Sequence, residues 1–165
     1  MKKNIILCGF MGCGKSTVGA LLAKKSGMAF VDMDTYIEKK EHRSVSRIFA
    51  ESGEDYFREK EREASRELSQ KKGLVIAAGG GTLTFEENVQ VLRKTGRIVL
   101  LDLPLETVSR RLSGDTSRPL LNRPDKEAAM KELYERRLPL YRAAADLIVD
   151  GSQSPLQVCM AILSS

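Results

Sequence analysis

The 165-residue sequence contains no tryptophan, a single histidine and only three cysteines. The histidine, His42, lies in a polar run, which argues against catalysis that depends on histidine. The cysteines, Cys8, Cys13 and Cys159, show no C-x-x-C spacing, and so small and odd a set indicates reduced thiols. A disulfide framework and a zinc site are therefore both disfavoured.

Long apolar runs are also missing, since none approaches the roughly 20 residues that a membrane-spanning helix needs. Lys2 and Lys3 precede the apolar residues 5–8 as in a signal peptide, but this apolar part is far too short for one. No repeat, low-complexity tract or linker interrupts the chain. We therefore expect a cytoplasmic protein that folds as a single domain over residues 1–165.

Short apolar segments and helical periodicity alternate along the chain. The stripe Phe57, Glu61, Ala64 and Leu68 indicates a helix, as do residues 45–52 between Ser44 and Gly53. We expect Pro104 to be the first residue of another helix, and Ser154-Pro155 to cap the last one. The pattern predicts an α/β fold, a three-layer sandwich around a five-stranded parallel sheet, with strands at residues 4–8, 29–32, 74–78, 97–102 and 146–149.

Residues 9–17, Gly-Phe-Met-Gly-Cys-Gly-Lys-Ser-Thr, lie between the first predicted strand and a helix. The spacing Gly9-x-x-x-x-Gly14-Lys15-Ser16 is that of a P-loop, whose glycines let backbone N–H groups surround a phosphate. Lys15 can reach the terminal phosphates and the Ser16 hydroxyl can ligate Mg²⁺. The loop therefore predicts a nucleotide site formed by Gly12, Cys13, Gly14, Lys15, Ser16 and Thr17.

Cys13 lies inside this loop, where helix-end amides and Lys15 could lower the pKa of its thiol. Two interpretations remain open at this stage. Either the thiol is alkylated readily and bound nucleotide protects it, or a small residue is simply tolerated at this position.

Asp32-Met33-Asp34 closes the second predicted strand. Alternation along a strand places both carboxylates on one side, near the phosphate loop. One could organise Mg²⁺ and the other could orient a substrate hydroxyl or accept its proton. The alternative is that these aspartates cap the helix that follows, as we expect for Asp102 ahead of Pro104.

Three consecutive glycines, Gly79, Gly80 and Gly81, follow the third predicted strand. Such a run costs backbone entropy and is favoured where a ligand must approach the main chain closely. The segment 113–125 holds two prolines and two arginines and breaks the helical rhythm. A loop of this length in a compact domain is typical of a lid or a binding loop.

The net charge of +5 raises the question of a nucleic-acid partner. No basic block is interleaved with aromatic residues, and basic side chains alternate with acidic ones, as in residues 59–63. A small anionic substrate together with ATP explains the charge with fewer assumptions. Arg58, Arg118 and Arg137 could each bind a carboxylate or phosphate, although any one alone is better explained as a surface charge.

Taken together and in order, these motifs resemble the shikimate kinase family over essentially the whole chain. The set comprises Gly9–Thr17, Asp32-x-Asp34, Phe57-Arg58-x-x-Glu61, Gly79-Gly80-Gly81, Arg118-Pro119-Leu120-Leu121 and Arg137-x-Pro139-Leu140-Tyr141. The resemblance implies a P-loop fold of the nucleoside-monophosphate-kinase type. It also implies a mobile lid at about 113–125 and a shikimate-binding helical region at about 33–61.

The resemblance implies that the chain transfers the γ-phosphoryl group of ATP to the 3-hydroxyl of shikimate, on the route to chorismate and the aromatic amino acids. Lys15 and the lid residue Arg118 would contact the phosphates and take part in catalysis. Adenine would lie between Arg111 and the segment near Pro155. Mg²⁺ would be held by two residues, Ser16 directly and Asp32 in an assisting role.

On the acceptor side, the resemblance implies that Asp34 binds the ring hydroxyls and is the candidate base. Arg58 and Arg137 would hold the carboxylate, with Glu61 orienting Arg58. Arg136 adjoins Arg137, and the choice between them depends on the spacing to Pro139. The glycine run would complete the acceptor site, with the amide of the middle glycine facing the substrate: Gly79, Gly80 and Gly81.

Two other functions remain as alternatives. One is a related small-molecule kinase that acts on gluconate or a nucleoside monophosphate. The other is a nucleotide-dependent binding module or RNA-associated ATPase, which the positive charge would favour. We expect a monomer with small-molecule substrates and with no nucleic-acid or membrane partner.

Overall fold

The computed structural model describes residues 2–112 and 126–165, and in them five strands form one parallel sheet. The strand order is β2-β3-β1-β4-β5. Each strand begins and ends within one residue of its predicted position, which confirms the α/β fold. The strands are β1 Asn4–Cys8, β2 Ala29–Asp32, β3 Leu74–Ala77, β4 Gly96–Asp102 and β5 Leu147–Asp150.

Helices connect the strands and cover the sheet. They are α1 Lys15–Ser26, α2 Met33–Glu41, α3 Val45–Ser52, α4 Glu54–Ser69, α5 Glu86–Arg93, α6 Leu105–Leu112, α7 Lys126–Ala144 and α8 Pro155–Leu163, with a 3₁₀ turn at Thr82–Thr84. Within residues 2–112 and 126–165, none of the helices combines the length and apolarity needed to cross a bilayer. The predicted lid at 113–125 lies outside the described residues.

Local capping signals set several of these bounds as predicted. α3 spans the predicted residues 45–52, and the Ser44 side chain accepts a hydrogen bond from the amide of Arg47. Ser154 caps α8, whose first residue is Pro155. The prediction for Pro104 is wrong by one residue: it precedes α6, and its carbonyl accepts the first helical hydrogen bonds. Proline suits this place because its lost N–H has no helical partner there.

The topology of the sheet determines where a ligand can bind. Strand β1 is buried along its whole length between β3 and β4. The chain leaves β1 on one side to build β2 and β3, and then returns to the other side for β4. In doubly wound sheets a ligand crevice forms at the carboxyl ends of the strands where this reversal occurs. The loops that follow β1 and β3 meet at that point.

Asn4 connects neighbouring segments at the amino-terminal edge of the sheet. Its side chain is fully buried, donates to the carbonyl of Lys71 at 2.8 Å and accepts from the amide of Leu74 at 2.9 Å. A weaker contact of 3.4 Å reaches the hydroxyl of Thr95. One amide therefore joins the starts of β1 and β3 and the residue that precedes β4.

We expect Asn4→Ala to lower the free energy of unfolding by about 1–3 kcal/mol, because it leaves the buried backbone N–H of Leu74 without its partner. Urea denaturation followed by far-ultraviolet circular dichroism measures this, since the chain has no tryptophan. Gln90→Ala removes an amide from an exposed position of α5 and is the matched control. Equal midpoints for the two variants would contradict the role given to Asn4.

Candidate active site

A cleft of about 570 Å³ opens at the carboxyl edge of the sheet, between the phosphate loop, the loop after β3 and the α2–α4 segment. Most of the residues proposed from the sequence for nucleotide, metal and substrate line it. They are Gly12, Gly14, Lys15, Ser16, Thr17, Asp32, Asp34, Arg58, Gly79, Gly80, Gly81 and Arg137. Arg118 lies outside the described residues.

The phosphate loop has the backbone shape that its glycines predict. Gly12 and Gly14 have φ values of 81° and 91°, in the left-handed region where side chains are disfavoured. Helix α1 begins directly after Gly14, so the free amides of its first turn lie along the cleft. The ammonium group of Lys15 donates to the carbonyl of Gly9 at 2.7 Å. The loop thus presents a lysine and helix-end N–H groups to one end of the cleft.

The thiol of Cys13 is turned away from this cleft. It is 2% exposed, and a methyl group added at Gly9 would lie 2.7 Å from its sulfur. A thiol enclosed beneath the loop is poorly accessible to an alkylating reagent. The structure therefore favours the second interpretation, a small residue that the loop tolerates.

Two residues proposed for adenine lie outside the cleft. The exposed guanidinium of Arg111 donates to the carbonyl of Gly12 at 3.1 Å, so it lies against the phosphate loop. Pro155 is exposed at the start of α8, which packs against α1 and β5. The structure brings Arg111 to the loop and does not bring Pro155 to the cleft.

Asp32 has two hydrogen-bonding partners. One carboxylate oxygen accepts from the amide of Thr35 at 3.1 Å and caps α2, as the capping alternative proposed. The other oxygen accepts from the hydroxyl of Ser16 at 2.6 Å. Within residues 2–112 and 126–165, no cluster of three or more His, Cys, Asp or Glu side chains could hold a metal alone. Paired hydroxyl and carboxylate oxygens beside a phosphate site do fit Mg²⁺, which takes its other ligands from phosphates and water.

Asp34 reaches the cleft for a different reason from the one the sequence suggested. Strand β2 ends at Asp32, so Asp34 lies in the first turn of α2 and strand alternation does not place it. The helix N-terminus favours a carboxylate there. A methyl group added at Gly79 would lie 2.9 Å from oxygens of both Asp34 and Glu61. The two carboxylates therefore flank the first glycine of the run.

Arg58 is buried and neutralised. It is 8% exposed on α4, donates to Glu61 at 2.6 Å and forms a second ion pair with Glu54 at 3.2 Å. Burial opposes its charge, but these carboxylates, Glu61 foremost, outweigh burial and raise the pKa of the guanidinium. Glu61 is itself fully buried and also accepts from the hydroxyl of Thr82 at 2.7 Å. Arg58 is consequently held in a fixed orientation.

The electrostatic environment of Arg137 is opposite to that of Arg58. It is 6% exposed on α7 and lines the cleft, whereas Arg136 is exposed and does not. Among the residues that the structure describes, it has no carboxylate within ion-pair distance. Burial lowers the pKa of its guanidinium, and the positive charge of Arg58 lowers it further, against the influence of Tyr141 and Glu61. A buried cation in this situation is a binding site for an anion.

The glycine run allows both arginines to lie against the main chain. A methyl group at Gly80 would be 2.9 Å from a terminal nitrogen of Arg137, and one at Gly81 would be 2.7 Å from the guanidinium carbon of Arg58. The sequence predicted close approach of a ligand to this segment. The structure shows that protein guanidinium groups make this approach, so side chains here would displace them.

Some cleft residues escaped the sequence analysis. Glu54 was missed as a partner of Arg58, although its i,i+4 spacing on a helix is a usable signal. The other cleft residues that were not named individually for the site lie in the phosphate-loop motif, in the region 33–61 that the resemblance implied for shikimate, and at the end of β3: Met11, Thr35, Glu38, Ser44, Val45, Ser46, Phe49, Ala77 and Ala78.

Comparison with known proteins agrees with this geometry. A family model for shikimate kinase matches residues 11–165. Shikimate kinase of Persephonella marina is 45% identical over 161 residues, which cover 98% of this chain and 97% of the relative. The relative from Sulfurihydrogenibium sp. is 44% identical and covers 98% and 96%.

Solved structures give the same result. Shikimate kinase from Acinetobacter baumannii, in complex with shikimate, matches with a TM-score of 0.95 and 37% identity over 99% of this chain and 92% of its own. A gluconokinase from Sinorhizobium meliloti matches with a TM-score of 0.62 and 16% identity over 98% of this chain and 90% of its own. This match supports the fold alone. This chain belongs to the shikimate kinase family, ATP-dependent kinases that phosphorylate an alcohol group.

Proposed function

We propose that this chain transfers the γ-phosphoryl group of ATP to the 3-hydroxyl of shikimate, giving shikimate 3-phosphate and ADP. The single observation that carries the proposal is the buried guanidinium of Arg137 in the cleft that also contains the phosphate loop. Shikimate has one carboxylate and three ring hydroxyls. The cleft offers cationic groups that can bind the carboxylate and carboxylate oxygens that can accept hydrogen bonds from the hydroxyls.

The acceptor is held between two kinds of side chain. Arg137 and Arg58 bind the carboxylate in a charge-assisted way, with the backbone of Gly80 beside Arg137 and that of Gly81 beside Arg58. Asp34, across Gly79 from Glu61, accepts hydrogen bonds from the ring hydroxyls and orients the one that attacks. This arrangement gives the acceptor a fixed direction relative to the phosphate loop.

The phosphoryl donor is positioned by the phosphate loop. Phosphoryl transfer needs little covalent chemistry from a protein, which must align the donor and acceptor oxygens and neutralise charge on the transferring group. The N–H groups of the loop bind the phosphates. Lys15 replaces its hydrogen bond to the Gly9 carbonyl with one to a phosphate oxygen. Arg118, in the proposed lid at 113–125, adds positive charge when the site closes.

Ser16 and Asp32 would hold Mg²⁺, and their 2.6 Å hydrogen bond brings the two oxygens to one point. When bound, the ion would neutralise negative charge on the phosphates of ATP. We further propose that the enzyme works as a cytoplasmic monomer over its single domain.

The acceptor is tested by coupled detection of ADP with ATP, Mg²⁺ and a panel of shikimate, gluconate and a nucleoside monophosphate. We expect turnover with shikimate at least about 100-fold more efficient than with either other compound, since a site built to pair buried polar groups rejects ligands that leave them unpaired. Comparable turnover of gluconate would contradict the proposal.

We expect Arg137→Ala to raise the KM for shikimate by at least about tenfold with little change in the KM for ATP, because it removes a charge-assisted bidentate contact to the carboxylate. Arg136→Ala is the matched control, since it removes an exposed guanidinium from the adjacent position of α7. A rise in KM for Arg136→Ala and none for Arg137→Ala would reverse the assignment.

We expect Asp34→Asn to lower kcat by about 100-fold or more, while the KM for ATP and the circular dichroism spectrum stay unchanged. The substitution keeps the shape of the side chain and removes its negative charge. Steady-state kinetics with shikimate and ATP varied separately measure the effect. Retained kcat would show that the Asp34 carboxylate is not the partner of the reacting hydroxyl.

A further inference from the structure

Tyr141 lies on α7 one helical turn after Arg137, and both side chains reach Gly80. We propose that Tyr141 is a positioning residue for acceptor binding, which fixes the Gly80–Gly81 peptide and the Arg137 guanidinium beside it, so that the guanidinium is oriented to receive the carboxylate. The inference depends on the proposed function and assigns a role to a residue that touches neither substrate.

The first argument is the backbone geometry. Tyr141 is 1% exposed, and its hydroxyl donates a hydrogen bond to the carbonyl of Gly80. That carbonyl shares a planar peptide with the N–H of Gly81, so the bond fixes the direction of both groups. A hydrogen bond of 3.2 Å from the Thr82 N–H to the Gly79 carbonyl closes a turn around this peptide, but glycines tolerate both orientations of the central peptide of such a turn. The hydroxyl of Tyr141 supplies the missing constraint.

The second argument concerns charge. Burial, the largest influence, raises the pKa of Tyr141 far above its usual value, so the phenol stays protonated. A neutral hydroxyl donates to Gly80 and still has lone pairs for the guanidinium of Arg137, which lies beside the same glycine. Glu61 and Glu54 orient Arg58 and neutralise it, whereas Tyr141 orients Arg137 without cancelling its charge. The charge of Arg137 remains available to an anionic ligand.

The third argument is the rigidity of the ring. Tyr141 packs with Phe10, Cys13 and Leu138 around a cavity of only about 10 Å³ beneath the phosphate loop. Side chains packed this closely lack room to adopt another rotamer. The hydroxyl is therefore presented to Gly80 from a fixed position, and the same ring supports the underside of the nucleotide site.

Tyr141→Phe tests the role because it removes the hydroxyl and keeps the ring. We expect the KM for shikimate to rise about fivefold to tenfold, with kcat and the KM for ATP each within about twofold of wild type. Tyr134→Phe is the matched control on the same helix. The Tyr134 hydroxyl also donates to a backbone carbonyl, that of Leu103 at 2.6 Å, but Leu103, unlike Gly80, does not line the cleft.

The outcomes are distinguishable. An unchanged shikimate KM in Tyr141→Phe, or an equal rise in Tyr134→Phe, overturns the positioning role while wild-type turnover leaves the proposed function standing. A parallel rise in the KM for ATP also overturns it, since that indicates a general loss of structure. No turnover of shikimate by the wild-type enzyme contradicts the proposed function and this inference with it.

Discussion

The rest of the site depends on one constraint, the burial of the Arg137 guanidinium. The described residues of the cleft offer this cation no carboxylate within ion-pair distance. Removing a cation from water is costly unless hydrogen bonds or a counter-ion compensate for it. Here the protein supplies a neutral hydroxyl and a glycine backbone, and leaves the counter-ion to the ligand. The nearby Arg58 differs, because Glu61 and Glu54 already compensate for its charge. An acceptor that brings one negative charge therefore completes the electrostatics of the cleft.

The fold makes this arrangement possible through the position of β1. The reversal of strand order around β1 places the phosphate loop beside the glycine run that follows β3. Helices α2 and α4 then add Asp34 and Arg58 from one side, and α7 adds Arg137 from the other. Donor and acceptor sites consequently share one edge of the sheet, which is where parallel sheets generally bind ligands.

Much of the fold and the phosphate site was predictable because their signals are local. Short apolar runs, the P-loop spacing and the Ser44 cap are each contained in fewer than about ten residues. Asp34 shows the limit of such reasoning, because its pattern fits both strand alternation and a helix N-terminus. In the structure Asp32 caps α2, so Asp34 lies in the first turn of that helix. The meeting of Arg58 with Arg137 could be expected only from family resemblance. Their contacts with Gly80 and Gly81 are tertiary and leave no trace in local spacing.

The claim that the cleft recognises the negative charge of its acceptor is tested most directly by comparing shikimate with its primary carboxamide. The amide keeps the ring and all three hydroxyls and removes the charge that Arg137 is proposed to bind. Our account predicts that kcat/KM for the amide is at least about tenfold lower, with the KM for ATP unchanged, because charge-assisted hydrogen bonds are roughly twice as strong as neutral ones. Equal kcat/KM values for the acid and the amide would contradict it.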